Sequence, residues 1–367
     1  MSKSRLHELY ENGQSVWLDY LSREILNTGK LARMMGEDAV VGVTSNPTIF
    51  QKALAEGDAY DEQLKELLEH GQDGKEIFLQ LSSGDIEGAC KLLRGVWDST
   101  AGTDGYVSWE VDPELAYDRD GTFEEAKRLH EWIDEPNLYV KIPATQPGVG
   151  AIEDSIAEGR KINVTLIFSL QRHEEVMEAY LRGLERLADS GGDVSQMHGV
   201  ASFFVSRVDT ETDRRLDEVG HPELKGKLAI ANAKLAYQNY ERVFSGERWE
   251  KLAAKGAHPQ RCLWASTSAK NPAYCDVVYV EELIGPQTVN TMPEETIRAF
   301  QDHGKVVDTL EQGIDEAKKL FEALRVAGVD YDDVSETLER EGVQKFIDSF
   351  KELLDGIREK RDVLAAA

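Results

Sequence analysis

The feature that most restricts the fold is the alternation of apolar, β-type runs with helix-patterned segments along the 367-residue chain. Parallel strands connected by helices are typical of an α/β fold, and eight such units predict closure into a (β/α)8 TIM barrel. The eight predicted strands are 15–21, 39–47, 105–111, 137–143, 162–170, 199–207, 261–267 and 276–283.

Helix patterns fill the connections between these runs. Three are clear from their periodicity, namely 122–134, 170–189 and 227–244. The chain carries no linker-like composition, so we expect a single domain, 1–367, with helical insertions and a C-terminal helix. The added helices are expected at 48–104, 208–260 and 333–361. The apolar stripe of 342–361 favours packing on the exterior or rim of the barrel, with a lid or an oligomer contact as alternatives.

The amino-acid composition restricts the binding partners and the cellular compartment that we expect for this protein. The net charge of −26 argues against nucleic acid or an anionic membrane as a partner. The three cysteines, Cys90, Cys262 and Cys275, form no C-x-x-C pair and indicate reduced thiols. The first residues have no apolar signal core, and no apolar run is long enough for a transmembrane helix. We therefore expect a cytoplasmic protein without a membrane partner.

The stretch NLYVKIPAT, 137–145, places Lys141 at the end of an apolar strand. Lysine is costly to bury, so one interpretation is a side chain that extends from the strand end into water. The alternative is a desolvated amine that acts as a nucleophile toward a carbonyl group. The other strands bear on this choice.

Alternation along the strands directs further polar side chains to the face that carries Lys141. The opposite, apolar faces are expected to pack against the surrounding helices, so the polar faces point into the barrel. The predicted lumen residues are Asp19, Glu110, Lys141, Asn163, Thr165 and Ser202. Each one alone is consistent with a strand-end residue that faces water. Their convergence at the carboxyl ends of the strands favours a site, because barrels of this kind carry their sites there.

A lysine beside two carboxylates suits Schiff-base chemistry. One carboxylate would shuttle protons during imine formation, and the other would accept a proton from a substrate hydroxyl as a carbon–carbon bond breaks. Asn163 and Thr165 would orient water or substrate hydroxyls. A metal site is not indicated, since the eight histidines are scattered. Neither a G-x-G-x-x-G turn after a strand nor a G-x-S-x-G elbow occurs.

Several specific stretches, in this order, resemble the transaldolase family of the (β/α)8-barrel aldolase superfamily. The resemblance covers the chain from about residue 14 to its end. The stretches are GVTSNPTIF (42–50), WEVDPELAYD (109–118), NLYVKIPAT (137–145), INVTLIFSL (162–170), FFVSRVD (203–209), WASTSAKNPAY (264–274) and VEELIGPQTVNTMP (280–293).

The resemblance implies the reaction. A dihydroxyacetone unit would pass from a ketose phosphate, sedoheptulose 7-phosphate or fructose 6-phosphate, to an aldose phosphate, glyceraldehyde 3-phosphate or erythrose 4-phosphate. This is a step of the non-oxidative pentose phosphate pathway. It implies small-molecule sugar phosphates as partners and neither a cofactor nor a metal. A monomer or a homodimer is expected.

The resemblance also implies the catalytic roles. Lys141 looks like the Schiff-base lysine, and Asp19 looks like the acid/base at the cleaved carbon. Glu110 would act through a water in imine formation, and Thr165 would position that water.

Two asparagines match the positions that would bind hydroxyls of the dihydroxyacetone unit, namely Asn46 and Asn163. Asn46 also precedes Pro47, and Asn-Pro is typical of a helix N-cap followed by proline at the first helical position. Both roles are compatible in one residue.

The chain departs from the family pattern at the residues that would bind the phosphate group of the substrate. Ser202 and Arg207 would face the hydroxyl and phosphate ends, with a surface salt bridge as the alternative role of Arg207. An arginine expected shortly after the seventh strand is absent from ASTSAKNP. Ser266, Ser268 and Lys270 are the candidates in its place.

Two other functions stay open at this stage. One is an aldolase of the same superfamily that releases free dihydroxyacetone, as a fructose-6-phosphate aldolase does. The other is a non-catalytic barrel that binds sugar phosphates. The joint presence of Lys141, Glu110 and Asp19 argues against the second, and Arg207 and the long chain favour the transferase over the first.

Overall fold

The computed structural model describes residues 4–55, 58–69 and 73–365. Its centre is a closed barrel of eight parallel strands in sequential order, which confirms the predicted (β/α)8 fold. The strands are β1 (Gln14–Leu18), β2 (Val40–Thr44), β3 (Tyr106–Glu110), β4 (Leu138–Pro143), β5 (Ile162–Ile167), β6 (Gly199–Phe204), β7 (Gln260–Ala265) and β8 (Thr288–Met292).

Sixteen α-helices in the described residues surround the strands and extend over one end of the barrel. The first eight are α1 (Arg5–Glu11), α2 (Arg23–Asn27), α3 (Lys30–Glu37), α4 (Pro47–Ala55), α5 (Asp61–Glu69), α6 (Gly74–Ser99), α7 (Arg119–Trp132) and α8 (Gln146–Ala157). The remaining ones are α9 (Leu170–Asp189), α10 (Ser206–Val219), α11 (Leu228–Val243), α12 (Glu247–Ala253), α13 (Val278–Glu281), α14 (Glu294–His303), α15 (Ile314–Val326) and α16 (Tyr331–Ala365). Short 3₁₀ turns occupy Pro113–Leu115, Val194–Gln196 and Pro222–Leu224.

The prediction of the eighth strand at 276–283 is wrong. Helix α13 occupies its centre, and the strand that closes the barrel follows it as β8, paired with both β7 and β1. A short apolar run rich in β-branched residues does not distinguish a strand from a buried helical turn. The true strand is less apolar because it carries Asn290 and Thr291, which are both buried.

Strand β5 carries an irregularity that breaks the predicted alternation of side chains. The register with β6 shifts between Val164 and Ile167, and Leu166 has a φ of 57° in the left-handed region. Strict alternation along β5 predicts Leu166 on the outer face with Val164. It lines a small cavity with Glu110 and Phe346 instead.

The amino-terminal end of the barrel is filled by aromatic rings. Tyr106 and Tyr139 stack at a centroid distance of 4.0 Å, and Trp17 packs against both. The guanidinium of Arg261 is buried beside them, 3.3 Å from Asp104. Asp104 also accepts hydrogen bonds from Ser15 and Trp17. We call this the closed end of the barrel.

The C-terminal helix α16 lies across the opposite, carboxyl end, which we call the open end. Its residue Ser349 accepts a hydrogen bond from Thr48 of α4 at 2.8 Å, and Phe350 packs edge-on against Phe78 of α6. Gly342 permits a close approach, because an added Cβ atom would come within 3.1 Å of Leu166. The helix therefore packs on the rim, as its apolar stripe predicted.

Cys90 and Cys262 are buried, Cys275 is exposed, and all three are free thiols. Across the described residues, we find no helix with the length and apolar character needed to span a bilayer.

Candidate active site

A cleft of about 610 Å³ opens at the carboxyl ends of the strands, beneath α16. Nine of the eleven predicted site residues line it, and the other two, Glu110 and Asn163, lie directly behind its wall in contact with lining residues. The nine are Asp19, Asn46, Lys141, Thr165, Ser202, Arg207, Ser266, Ser268 and Lys270.

Lys141 is buried at the floor of the cleft, with 6 % of its surface exposed. The lysine is thus not a side chain that extends from a strand end into bulk water. Its Nζ donates to the carbonyl oxygen of Ser45 at 2.7 Å and lies 3.4 Å from Oε2 of Glu110. The carbonyl of Ser45 was not anticipated from the sequence, because a backbone acceptor leaves no trace in residue type.

Asp19 follows the last residue of β1, and its backbone N–H still bonds to the carbonyl oxygen of Met292. Thr44 donates its hydroxyl to Oδ1 of Asp19 at 2.8 Å. Burial raises the pKa of Asp19, while the positive charge of Lys141, the bond from Thr44, and the charges of Arg207 and Lys270 act in the opposite direction. Asp19 is thus a carboxyl group with an elevated proton affinity, facing the cleft.

Glu110 is buried at the end of β3. Burial raises its pKa, and the charge and hydrogen bond of Lys141 oppose that effect. The carboxyl group also borders a cavity of about 10 Å³, roughly the space needed for one water molecule. Trp109 lines the same cavity, and its indole Nε1 has no hydrogen-bond partner among the described residues.

A chain of hydrogen bonds crosses the lumen below the cleft. Ser202 donates to Oδ1 of Asn163 at 2.7 Å, and Nδ2 of Asn163 donates to Ser108 at 3.1 Å. Asn163 is therefore held in one orientation. Thr165, two residues further along β5, is 1 % exposed, and its hydroxyl has no protein partner in the described part of the chain. That hydroxyl is free to bond water or a ligand in the cleft.

Asn46 caps helix α4. Its Oδ1 accepts the backbone N–H of Ile49 at 3.1 Å, and Pro47 is the first helical residue. This confirms the predicted N-cap. Asn46 also lines the cleft, so the cap and a position next to a ligand coexist.

The far side of the cleft carries the residues predicted for phosphate. Arg207 stands in the first turn of α10, not in a strand as the run 199–207 implied, and its guanidinium lies over the ring of Phe204 at 5.1 Å. Within the described residues it has no hydrogen bond or ion pair. The alternative of a salt bridge with Asp209 or Asp213 is therefore not realised.

The loop after β7 supplies the remaining predicted residues. Ser266 has a φ of 56°, in the left-handed region, and its Oγ lies 3.0 Å from that of Ser206. Lys270 donates to Ser268 at 2.7 Å. The loop therefore faces the cleft with two hydroxyls and one ammonium group.

Among the lining residues that sequence reasoning missed, three carry polar groups that bear on the site. Thr44 orients Asp19, and two lysines, Lys52 of α4 and Lys345 of α16, stand at the entrance. The lysines have no sequence signal of their own, because exposed lysines on amphipathic helices are common. Only the docking of α16 on α4 brings them to the same cleft.

The described residues contain no cluster of three or more histidine, cysteine or acidic side chains arranged to hold a metal ion. The groups that are gathered provide a primary amine, two carboxyls with raised pKa values, several hydroxyls and amides, and cations at one end. Such a set is suited to covalent chemistry at a carbonyl carbon in an anionic substrate.

Comparison with known proteins agrees with this chemistry. Residues 16–357 match the model of the transaldolase/fructose-6-phosphate aldolase family. The transaldolase of Frankia alni is 53 % identical over 359 residues, or 97 % of each chain. That of Thermobifida fusca is 51 % identical over 361 residues, covering 97 % of this chain and 98 % of the relative. The transaldolase of Mycolicibacterium smegmatis is 50 % identical over 354 residues, covering 95 % of each.

The chain therefore belongs to the transaldolase/fructose-6-phosphate aldolase family of (β/α)8-barrel enzymes. The predicted family is confirmed, and its substrates are sugar phosphates. Relatives named transaldolase, similar over nearly the whole length, favour the transferase over both alternatives left open by the sequence.

Proposed function

We propose that this protein transfers a dihydroxyacetone unit from sedoheptulose 7-phosphate or fructose 6-phosphate to glyceraldehyde 3-phosphate or erythrose 4-phosphate, through a Schiff base on Lys141. The observation that carries the proposal is the position of Lys141 Nζ, buried at the floor of the cleft and 3.4 Å from Glu110. The pathway is the non-oxidative pentose phosphate pathway, and the location is the cytoplasm.

The first step is imine formation. The neutral amine of Lys141 attacks the ketone carbon, and the carbinolamine then loses its hydroxyl as water. Glu110 moves the protons for this step, because it lies next to Nζ and burial raises its affinity for a proton, that is, its pKa. The unpartnered hydroxyl of Thr165 positions the water. The carbonyl of Ser45 directs the amine.

Cleavage of the carbon–carbon bond follows. Asp19 accepts the proton of the substrate hydroxyl as the bond breaks, the aldose phosphate leaves, and the electron pair is held as an enamine on Lys141. The acceptor aldehyde then receives this pair, Asp19 returns the proton, and hydrolysis of the imine releases the new ketose phosphate. Thr44 fixes the carboxyl group of Asp19 for both proton transfers.

The remaining predicted residues bind the substrate. Asn46 and Asn163 bond to hydroxyls of the dihydroxyacetone unit, and Ser202, which orients Asn163, reaches the hydroxyl end. Arg207 meets the phosphate group with its unpaired guanidinium, which can bind two oxygens at once. Ser266, Ser268 and Lys270 contribute hydroxyl and ammonium donors from the loop after β7.

Reductive trapping tests the mechanism. Treatment with borohydride in the presence of fructose 6-phosphate is expected to fix a three-carbon adduct on Lys141, detected by peptide mass spectrometry. Lys234 is a matched internal reference, because it is also buried but is paired with Glu282 away from the cleft. Absence of an adduct, or an adduct at another lysine, would refute the mechanism.

Dependence on the acceptor separates transaldolase from aldolase activity. Coupled assays with and without erythrose 4-phosphate are expected to show donor turnover only when the acceptor is present. Sustained release of free dihydroxyacetone without an acceptor would contradict the transferase proposal.

A further inference from the structure

Four cationic side chains line one wall of the cleft, and we call them the cation cluster. They come from four separate elements: Arg207 from α10, Lys270 from the loop after β7, Lys52 from α4 and Lys345 from α16. None of the four has a carboxylate ion-pair partner among the described residues. Lys30, in the same cleft, is instead paired, since its Nζ lies 2.6 Å from Glu294.

The convergence of four cations in one cleft is unexpected in this chain. It carries 68 acidic residues against 42 basic ones, so its overall charge is strongly negative. Placing like charges together without a counter-charge is unfavourable, and a bound anion would offset that repulsion. The cluster is therefore a local positive field within an acidic protein.

The four side chains of the cation cluster are close enough for the charges of the other three to affect Lys345. The positive charge of Arg207 is the largest factor that lowers the pKa of Lys345, followed by desolvation and by the charges of Lys270 and Lys52. A phosphate dianion among them would interact with all four charges.

The position of Lys345 is fixed by the helix that carries it. The next residue, Phe346, is buried and lines the cleft, and Gly342 on the preceding turn lies against Leu166. Further along, Ser349 bonds to Thr48 of α4, the helix that also carries Lys52. These contacts hold the two lysines on adjacent helices at one entrance.

We propose that Lys345 of the C-terminal helix, together with Lys52 of α4, binds the phosphate group of the substrate and completes the set formed by Arg207 and Lys270. The inference rests on the proposed function, because it takes a sugar phosphate as the ligand. It makes α16 a part of the substrate site. Lysine binds phosphate as a point charge, so the binding contributed by these residues is expected to weaken as salt rises.

Kinetics with phosphorylated and unphosphorylated acceptors test the inference. Lys345→Gln is expected to raise KM for fructose 6-phosphate and erythrose 4-phosphate roughly 10-fold, with kcat changed less than about 2-fold, as for the loss of one charge-assisted contact. At saturating fructose 6-phosphate, the KM for unphosphorylated glyceraldehyde as acceptor is expected to stay unchanged. Lys345→Arg keeps the charge and is expected to restore most of the affinity.

Inorganic phosphate is a probe that does not depend on turnover. Its binding, measured by calorimetry, is expected to weaken in Lys345→Gln and weaken further when Lys52→Gln is added. Two control variants carry the same charge change outside the cluster. One is Lys351→Gln, on the same helix as Lys345 but with its side chain facing Glu114 of the Pro113–Leu115 turn. The other is Lys30→Gln, which removes the pair with Glu294. Both are expected to bind phosphate like the original protein.

The outcomes separate this inference from the proposed function. Unchanged KM and unchanged phosphate binding in Lys345→Gln, while the borohydride adduct still forms on Lys141, would overturn the inference alone. Equal losses in Lys351→Gln would also overturn it, since they would indicate a general charge effect. Weakened phosphate binding in Lys345→Gln, with no adduct in the original protein, would support the anion site and refute the Schiff-base mechanism.

Discussion

Two arginines at opposite ends of the barrel have contrasting environments. At the closed end, Arg261 donates from Nη1 to the carbonyl of Thr103 and to Asp104, and from Nη2 to Ser15 and to the carbonyl of Thr288. Only its Nε lacks a partner among the described residues. At the open end, Arg207 touches the ring of Phe204 and has no polar partner in the same described set.

The difference distinguishes polar groups that hold the fold from polar groups that we propose to bind the substrate. A half-buried charge without a direct ion-pair or hydrogen-bond partner loses free energy of hydration that no contact restores, so its retention at Arg207 is consistent with binding of an anion. The carboxylates follow the same division. Asp104 accepts from Ser15, Trp17 and Arg261, whereas Asp19 has one hydroxyl partner and a raised pKa.

The largest expected effect comes from the lysine of the open end. Lys141→Ala is expected to lower kcat by about 10⁴-fold or more, because it removes the proposed nucleophile. Lys234→Ala is the control, since that lysine is equally buried but outside the cleft, and it should retain turnover. Steady-state kinetics measures kcat for both variants, which are compared at equal helix content. Comparable losses in the two variants would remove the distinction between the sites.

The two aspartates provide the next comparison. Asp19→Asn is expected to slow carbon–carbon cleavage by roughly 10²–10⁴-fold and to affect imine formation less, because it removes the proton acceptor of the cleavage step. Rapid-quench trapping with borohydride separates the two steps. Asp104→Asn, at the closed end, should instead lose stability and keep kcat in the folded fraction. A larger effect of Asp19→Asn on imine formation would contradict its assigned role.

The same aspartate predicts a change in stability with pH. Burial raises the pKa of Asp19, so the folded state holds the proton more tightly than the unfolded chain. The contribution of Asp19 to the free energy of unfolding therefore falls as the pH rises from its unfolded pKa of about 4 to its folded pKa. Relative to the original protein, the Asp19→Asn variant is expected to have a free energy of unfolding higher by about 1 kcal/mol at pH 7. The increase is expected to be smaller at pH 4. Urea unfolding at both values tests the sign.

Substitution of each arginine directly tests the contrast between the closed end and the open end of the barrel. Arg261→Met is expected to lower the free energy of unfolding by about 3–5 kcal/mol, because Asp104 would be left as a buried, uncompensated charge. Arg207→Met should leave stability unchanged or higher, yet raise KM for phosphorylated substrates by roughly 10²-fold. Equal destabilisation by the two variants would show that Arg207 is structural as well.

The smallest effect is expected at the unpartnered hydroxyl of β5. Thr165→Val removes a group without a protein partner, so the free energy of unfolding should change by less than about 0.5 kcal/mol. Imine formation should slow roughly 10-fold as the water loses its bond. Ser202→Ala is the comparison, because it breaks an existing bond to Asn163. A stability loss in Thr165→Val as large as in Ser202→Ala would contradict the assignment.

Local patterns predicted much of the site because the relevant periodicity is short. In β3 and β4, alternation alone placed Glu110 and Lys141 on one face, and adjacent pairing of the two strands then brings these residues side by side. The N-cap at Asn46 followed from Asn-Pro. The failures came where tertiary packing overrides local preference, as at Leu166, where the bulge in β5 reverses the predicted face.

The sequence by itself determined the barrel class, the lysine with its two carboxylates and the family, since these follow from alternation and short motifs. Tertiary structure alone decided that 276–283 contains a helical turn while Thr288–Met292 closes the barrel, because closure needs hydrogen bonds to β1 that no local pattern encodes. Tertiary structure alone also brings Lys345 into the same cleft as Arg207. Those residues lie far apart in the chain, and their repulsion arises only once α16 packs across the open end.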